Sequence, residues 1–231
     1  IGPNLENSPR WEAQGDRGSF RVYKINKGDG PEVEDYSAWP FADGAPALKN
    51  AAGEDSLDAT GNRIPLVVGE QALYAVYNDA DFSQHNSDPG SGSPGPMGVE
   101  VQHYVFGYAR SGALGNTIFM QFKIINGGSN VLDSMYISLW ADPDLGDAGD
   151  DLVGCDTTLS LGFCYNTDDD DASYGEGPPA VGFDFFQGPI IPAVGVTDTI
   201  LVDGRQIEKA GYQQLPMTSF NKYINGTDPA V

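Results

Sequence analysis

The chain has 231 residues, 12 of them Lys or Arg and 33 Asp or Glu, for a formal net charge of −21. So acidic a surface disfavours nucleic acid and anionic membranes and leaves cations and neutral partners. No apolar run approaches the roughly 20 residues of a membrane helix and no basic-then-apolar leader opens the sequence, so a soluble chain is expected, any export signal being removed or lying outside it.

Thirty Gly and sixteen Pro, with eleven each of Tyr and Phe, suit strands joined by turns and count against a helical fold. The length fits one large all-β domain, or at most two small ones, with a sizeable core, and one domain is expected. The expected organisation is an extended arm over 1–18, with Trp11 as its only bulky anchor, and a single antiparallel β-sandwich over 19–231. An immunoglobulin-like or jelly-roll arrangement with long loops is the economical form.

In chain order, SFRVYKIN (19–26) alternates and predicts a strand. Residues 27–63 hold charged, Gly and Pro punctuation without a period, and PEVEDYSAWPF supplies a helical turn packed by Tyr36, Trp39 and Phe41. Excursions of this length are either functional or ordered by something other than a sheet. QALYAVYND predicts a second strand, SQHNSDPGSGSPGPMG a surface loop, and GVEVQHYVFGYA a third strand with the cleanest alternation in the chain. NTIFMQFKIIN and DSMYISLWA predict a hairpin across NGGSNVL. PAVGFDFF and TDTILVDG add two more strands, and the tail has no clear period.

The most unusual stretch is 133–171. Ten aspartates lie between Asp142 and Asp171, and the nearest basic residues are Lys123 and Arg205. Carboxylates this crowded either splay into water or surround a hard cation, as Ca²⁺ sites with six to eight oxygen ligands do. The candidate calcium ligands are Asp142, Asp144, Asp147, Asp150 and Asp151, at the start of an acidic loop over 142–179. Gly146 and Gly149 let the backbone turn there, and Leu145, Leu152 and Val153 set the acids among apolar residues. The closing Glu and the spacing of an EF-hand are missing. Asn78, Asp79 and Asp81 form a second strand-end cluster, for which calcium competes with a simple Asx turn. Asp168 to Asp171 reads as a solvated turn, one or two members of which could complete a site with Asp156 or Glu176.

The two cysteines, Cys155 and Cys164, could be free thiols, half of a zinc site or a disulfide; a disulfide is expected, because zinc would want more Cys or His than the chain offers beside His85 and His103. A short clip of this kind implies an oxidising compartment. Catalysis finds little support. Among 33 acids some pair will always suit a glycosidase, no nucleophile-elbow motif is present, and there is no phosphate loop or dinucleotide fingerprint. Tyr104, Phe106, Tyr108 and Trp140 could stack on sugar rings, although strand alternation already accounts for them as core.

Several runs, among them RVYKIN, VYNDAD, GVEVQHYVFGYAR, ADPDLGDAGDDLVGCDTTLSLGFCYN, PPAVGFDFFQGPI and LPMTSFNKYING, resemble uncharacterised secreted β-rich proteins of Bacteroidetes-related bacteria that usually carry a type IX secretion sorting domain. The resemblance covers most of residues 20–226 and is most specific in the aspartate and cysteine run. It implies export, β-rich architecture and surface attachment or release, and carries no known reaction or catalytic residues. The expectation is therefore a non-enzymatic, calcium-stabilised structural protein at the cell surface or outside the cell. It would be a homo-oligomer or the subunit of a filament or layer. A carbohydrate-binding or adhesive module, with glycans as partners, and more remotely a glycan hydrolase, are the alternatives.

Overall fold

The computed structural model describes residues 21–79, 96–202 and 205–222. The arm over 1–18, Asp81 and His85 lie outside them. The fold is antiparallel and nearly all β, sandwich-like, without closure into a barrel. The chain forms two compact units, Ile1–Ser134 and Met135–Val231. Among the described residues no helix is long and apolar enough to cross a membrane.

The first unit is a four-stranded meander of β1 (Tyr23–Asn26), β2 (Gln71–Asn78), β3 (Val99–Gly107) and β4 (Ile118–Asn126), hydrogen-bonded in chain order. The register places Ala72, Phe106 and Phe119 side by side, and likewise Tyr74, Tyr104 and Gln121. Because side chains alternate along a strand, this puts Ile25, Ala72, Tyr74, Val76, Tyr104 and Phe106 on one face, where they form the core with Trp39 and Ala45. Burying one side chain of this size stabilises the fold by on the order of 2 kcal/mol.

The excursion before β2 is ordered by that core. A single helical turn, α1 (Glu34–Ser37), is held against β1 by Arg21, whose guanidinium meets Asp35 at 2.9 Å, and by the Lys24 N–H donating to the Asp35 carboxylate at 2.8 Å. Trp39 is buried and donates from its indole to the Pro46 carbonyl at 3.1 Å. Two core tyrosines then reach out to the loop backbone. The Tyr74 hydroxyl donates to the Asp43 carbonyl at 2.6 Å. The Tyr104 hydroxyl donates to the Leu66 carbonyl at 2.9 Å and accepts from the Val68 N–H at 3.2 Å. Isolated bridges such as Ala47 with Pro65 and Leu57 with Arg63 finish the segment.

The opposite face of this sheet is also apolar. Leu73, Ala75 and Tyr77, then Val99, Val101, His103 and Val105, then Ile118, Met120, Phe122 and Ile124 share it by register. His103 stacks on Phe122 with ring centroids 4.2 Å apart, packed within the strand face. Its Nε2 is buried without a partner, and burial pulls its pKa below the ordinary 6.5.

In the second unit, β5 (Asp151–Asp156), β6 (Leu161–Asn166) and β9 (Val181–Asp184) form one sheet. β7 (Asp170–Asp171) pairs with β8 (Gly175–Glu176), and β10 (Ile190–Val202) with β11 (Arg205–Gln214). Three expectations are corrected here. Residues 133–141 are not a strand and form no hairpin with β4: their apolar alternation is real but has no hydrogen-bonded partner, and Tyr136 and Trp140 are exposed. The acidic stretch 142–179 is not one long loop, since it contains a tight hairpin and a short ladder. The region after Asp198 continues into a second long strand, β11, whose polar sequence hides its pairing with β10.

Candidate functional site

The acidic stretch is organised by the β5–β6 hairpin. Asp156 makes its turn: one carboxylate oxygen accepts from the Thr158 N–H at 2.9 Å, from the Thr158 hydroxyl at 2.6 Å and from the Leu159 N–H at 3.2 Å, which holds its pKa below the usual carboxylate range. At the other end of the hairpin Asp151 stands directly opposite Asn166, so both side chains emerge on the same face.

The loop before β5 is fastened to this end at several points. Asp151 Oδ2 accepts from the Leu145 N–H at 2.9 Å, and Leu145 is buried. Asp147 folds its own carboxylate onto the Gly149 N–H at 3.0 Å. Asp171, only 3% exposed, accepts from the Asp147 N–H at 2.9 Å on one oxygen and from the Ser173 and Tyr174 N–H groups on the other. These amides, those of Asp147 and Tyr174 foremost, depress its pKa. The loop passes so close that a Cβ on Gly146, whose φ is +83°, would stand 2.1 Å from Asp171 Oδ1.

Within this frame three side-chain oxygens are buried with no hydrogen-bond donor: Asp150 Oδ1, Asp151 Oδ1 and Asn166 Oδ1. Asn166 is 8% exposed and spends its amide protons on the Asp168 and Asp170 carbonyls at 3.3 and 3.2 Å. Its side-chain NH₂ also hydrogen-bonds the Asp150 carboxylate. Desolvation, then the charges of Asp147 and Asp171, push the Asp150 pKa up, so the site is short of positive charge.

Of the five carboxylates predicted as one calcium set, Asp150 and Asp151 each keep one buried oxygen without a hydrogen-bond partner, and Asp147 is near enough to repel Asp150. Asp144 instead acts on Cys164, and Asp142 is exposed. Sequence reasoning missed Asn166 and did not single Asp171 out from Asp168 to Asp171. The signal for Asn166 was its place at the end of LGFCYN, opposite Asp151; nothing in a run of four aspartates marks the fourth as the one that turns inward. Among the described residues no three His, Cys, Asp or Glu side chains form a cation-holding group by themselves.

The neighbouring acids behave differently. Asp168, Asp169, Asp170 and Glu176 line an open depression. In the second predicted cluster Asp79 accepts from the Met97, Gly98 and Val99 N–H groups, tying the end of β2 to the start of β3. Asn78 ends β2 across from Glu100.

Cys155 and Cys164 are free thiols, against the expected disulfide. The hairpin register explains it. Cys155 faces Gly162 and Cys164 faces Val153, so the two sulfurs are diagonal neighbours. Diagonal Cα atoms stand about 7–8 Å apart, beyond the usual disulfide span of about 4.4–6.8 Å. Burial, followed by the Asp151 charge, pushes the Cys164 thiol up.

Tyr104 and Phe106 are buried in the core and Tyr108 packs against it, which leaves Trp140, 69% exposed, as the one aromatic of the four that stands free to stack on a sugar. No protein-family model matches the chain, and no curated protein and no solved structure matches it.

Proposed function

We propose that this chain is a non-enzymatic structural protein of the cell surface or extracellular space. It would be a β-rich subunit that associates with copies of itself into a filament or layer, its acidic region stabilised by calcium. The observation that carries the reading is the second face of the β1–β4 sheet. Tyr77, Ile118, Met120, Phe122 and Ile124 are 46, 67, 49, 42 and 36% exposed there. No carboxylate interrupts the eleven register-aligned residues of β2, β3 and β4, in a chain whose net charge is −21. Contiguous apolar surface of this kind marks association sites. A second copy is the natural occupant, because like-charged subunits associate most readily through surface free of charge.

Export rests on the family resemblance alone, since free thiols are equally at home in a reducing compartment. Light scattering of the purified chain in millimolar calcium is expected to show mass growing with concentration, and Phe122→Lys to abolish that growth without lowering the melting temperature. A monomer at every concentration would sink the proposal. The exposed Trp140 favours a second reading, as an adhesive module that binds glycans. It predicts retention on a glycan array that Trp140→Ala removes.

A further inference from the structure

We propose that residues 133–141 of one copy add as an antiparallel strand to the free edge of β4 in a second copy, extending its four-stranded sheet. This contact runs along the edge of the sheet. It is separate from the face-to-face association proposed above, and either can exist without the other.

The receiving edge is defined by the sheet itself. β4 ends the order β1-β2-β3-β4, and among the described residues no strand pairs with its outer side. In an antiparallel pair successive residues send their backbone groups alternately toward the neighbour and away from it. The Gly127 N–H donates to the Gly98 carbonyl at 2.8 Å, which sets the phase, and the next carbonyl of β3, that of Val99, accepts from the Asp79 N–H on the β2 side instead. Phe119, Gln121, Lys123 and Ile125 therefore bond to β3, while Ile118, Met120, Phe122 and Ile124 turn their N–H and C=O groups outward. A nine-residue edge whose one charge is Lys123 is a template for another strand.

The segment 133–141 has what this edge lacks. Every residue in it is exposed, and among the described residues none of its backbone groups has a backbone partner. No charge falls between Ser134 and Ala141, in a chain whose net charge is −21. The segment does not return along its own β4. Just past that strand the Asn126 side chain accepts from the Gly128 N–H at 3.1 Å and donates to the Asn130 carbonyl at 2.7 Å, and Ser134 takes a left-handed φ of +55°.

The two alternating sets of the segment match the two sides of β4. Met135, Ile137 and Leu139 are wholly apolar, like Met120, Phe122 and Ile124 at the margin of the apolar face. Tyr136, Ser138 and Trp140 are mixed, like Phe119, Gln121 and Lys123 on the other side. Opposed residues of an antiparallel pair share a face, so this match turns the N–H and C=O groups of Met135, Ile137 and Leu139 toward β4. Backbone bonds hold such an added strand and side chains select its phase. A second copy is the occupant, because each chain carries one such edge and one such segment. Giver and receiver surfaces differ, so the contact propagates as an open row, whereas a face-to-face contact uses the same patch twice and closes at the dimer.

The test is light scattering and amide hydrogen exchange of the full chain over a range of concentrations. Where mass grows, the amides of Met120, Phe122, Ile124, Met135, Ile137 and Leu139 should exchange at least about tenfold more slowly than in dilute solution. Ile137→Pro deletes an N–H aimed at β4 and is expected to stop growth at the dimer, with the melting temperature of the dilute chain unchanged. Ser138→Pro, whose lost N–H points away from β4, should still grow. Tyr77→Lys charges the apolar face on β2, with β3 between it and β4, and should leave growth intact. Continued growth of Ile137→Pro would overturn strand addition and leave the face contact standing, as would equal loss of growth in Ile137→Pro and Ser138→Pro with dimers remaining. Edge amides protected to the same degree at every concentration would overturn it too, because the segment would then be pairing within its own chain. Growth of Tyr77→Lys beside a strictly monomeric Ile137→Pro would remove the face contact and leave strand addition in place.

Discussion

His103 shows how one residue on an apolar face makes stability depend on pH. It lies between Tyr77 and Phe122, and burial lowers its pKa below 6.5. The folded chain therefore holds it neutral at a pH where the unfolded chain has begun to protonate it. Its contribution is fully present above about pH 6.5 and is lost as pH falls from there through the depressed folded value. Melting temperatures of the wild type should decline over that window, and His103→Gln should flatten the part of the decline that belongs to this residue. Superimposable pH profiles of the two proteins would show that His103 carries none of it. Alternation along GVEVQHYVFGYA already fixed the neighbours of His103 on its own strand. The residues across from it, Ala75 and Phe122, depend on a register that sequence does not state.

At the scale of elements, the long excursion before β2 is held by hydroxyls. Tyr104 accepts from one loop amide and donates to one loop carbonyl, so Tyr104→Phe removes both bonds and leaves the Val68 N–H and Leu66 carbonyl in search of partners. A loss of about 1–2 kcal/mol is expected by urea unfolding, with the m-value unchanged. An unaffected midpoint would mean that water replaces the hydroxyl freely. The sequence foresaw Tyr36, Trp39 and Phe41 as the packing anchors of this segment, because bulky aromatics in a punctuated stretch have nowhere else to go. It could not foresee the tyrosine clamps, which join residues more than thirty positions apart. The same limit explains DSMYISLWA and β11. Period-2 alternation reports that a strand could be half-buried and says nothing of whether a partner exists. β11 has little such alternation and is defined by nine register pairs with β10.

Over the whole molecule, charge dominates. With a net −21 and a sequence pI near 4.1, the folded chain is under self-repulsion that the unfolded chain relieves by expanding. Sodium chloride at a few hundred millimolar is expected to raise the melting temperature of the calcium-free protein, since the Debye length shrinks to a few Å. A flat response would mean that the carboxylates are already balanced locally, by backbone amides as at Asp79 and Asp171. The all-β class was legible from composition and alternation. The location of the acids was legible too, whereas their sorting into inward and outward groups was not, because it follows from loop closure around Asp171 and from the partner strand of Asp151. The order β1-β2-β3-β4 in the first sheet has a consequence for biogenesis. Once β1 and β2 have paired, each later strand docks on the one made just before it, so this sheet can zip up vectorially behind a ribosome or a translocation pore without waiting for its C-terminal end.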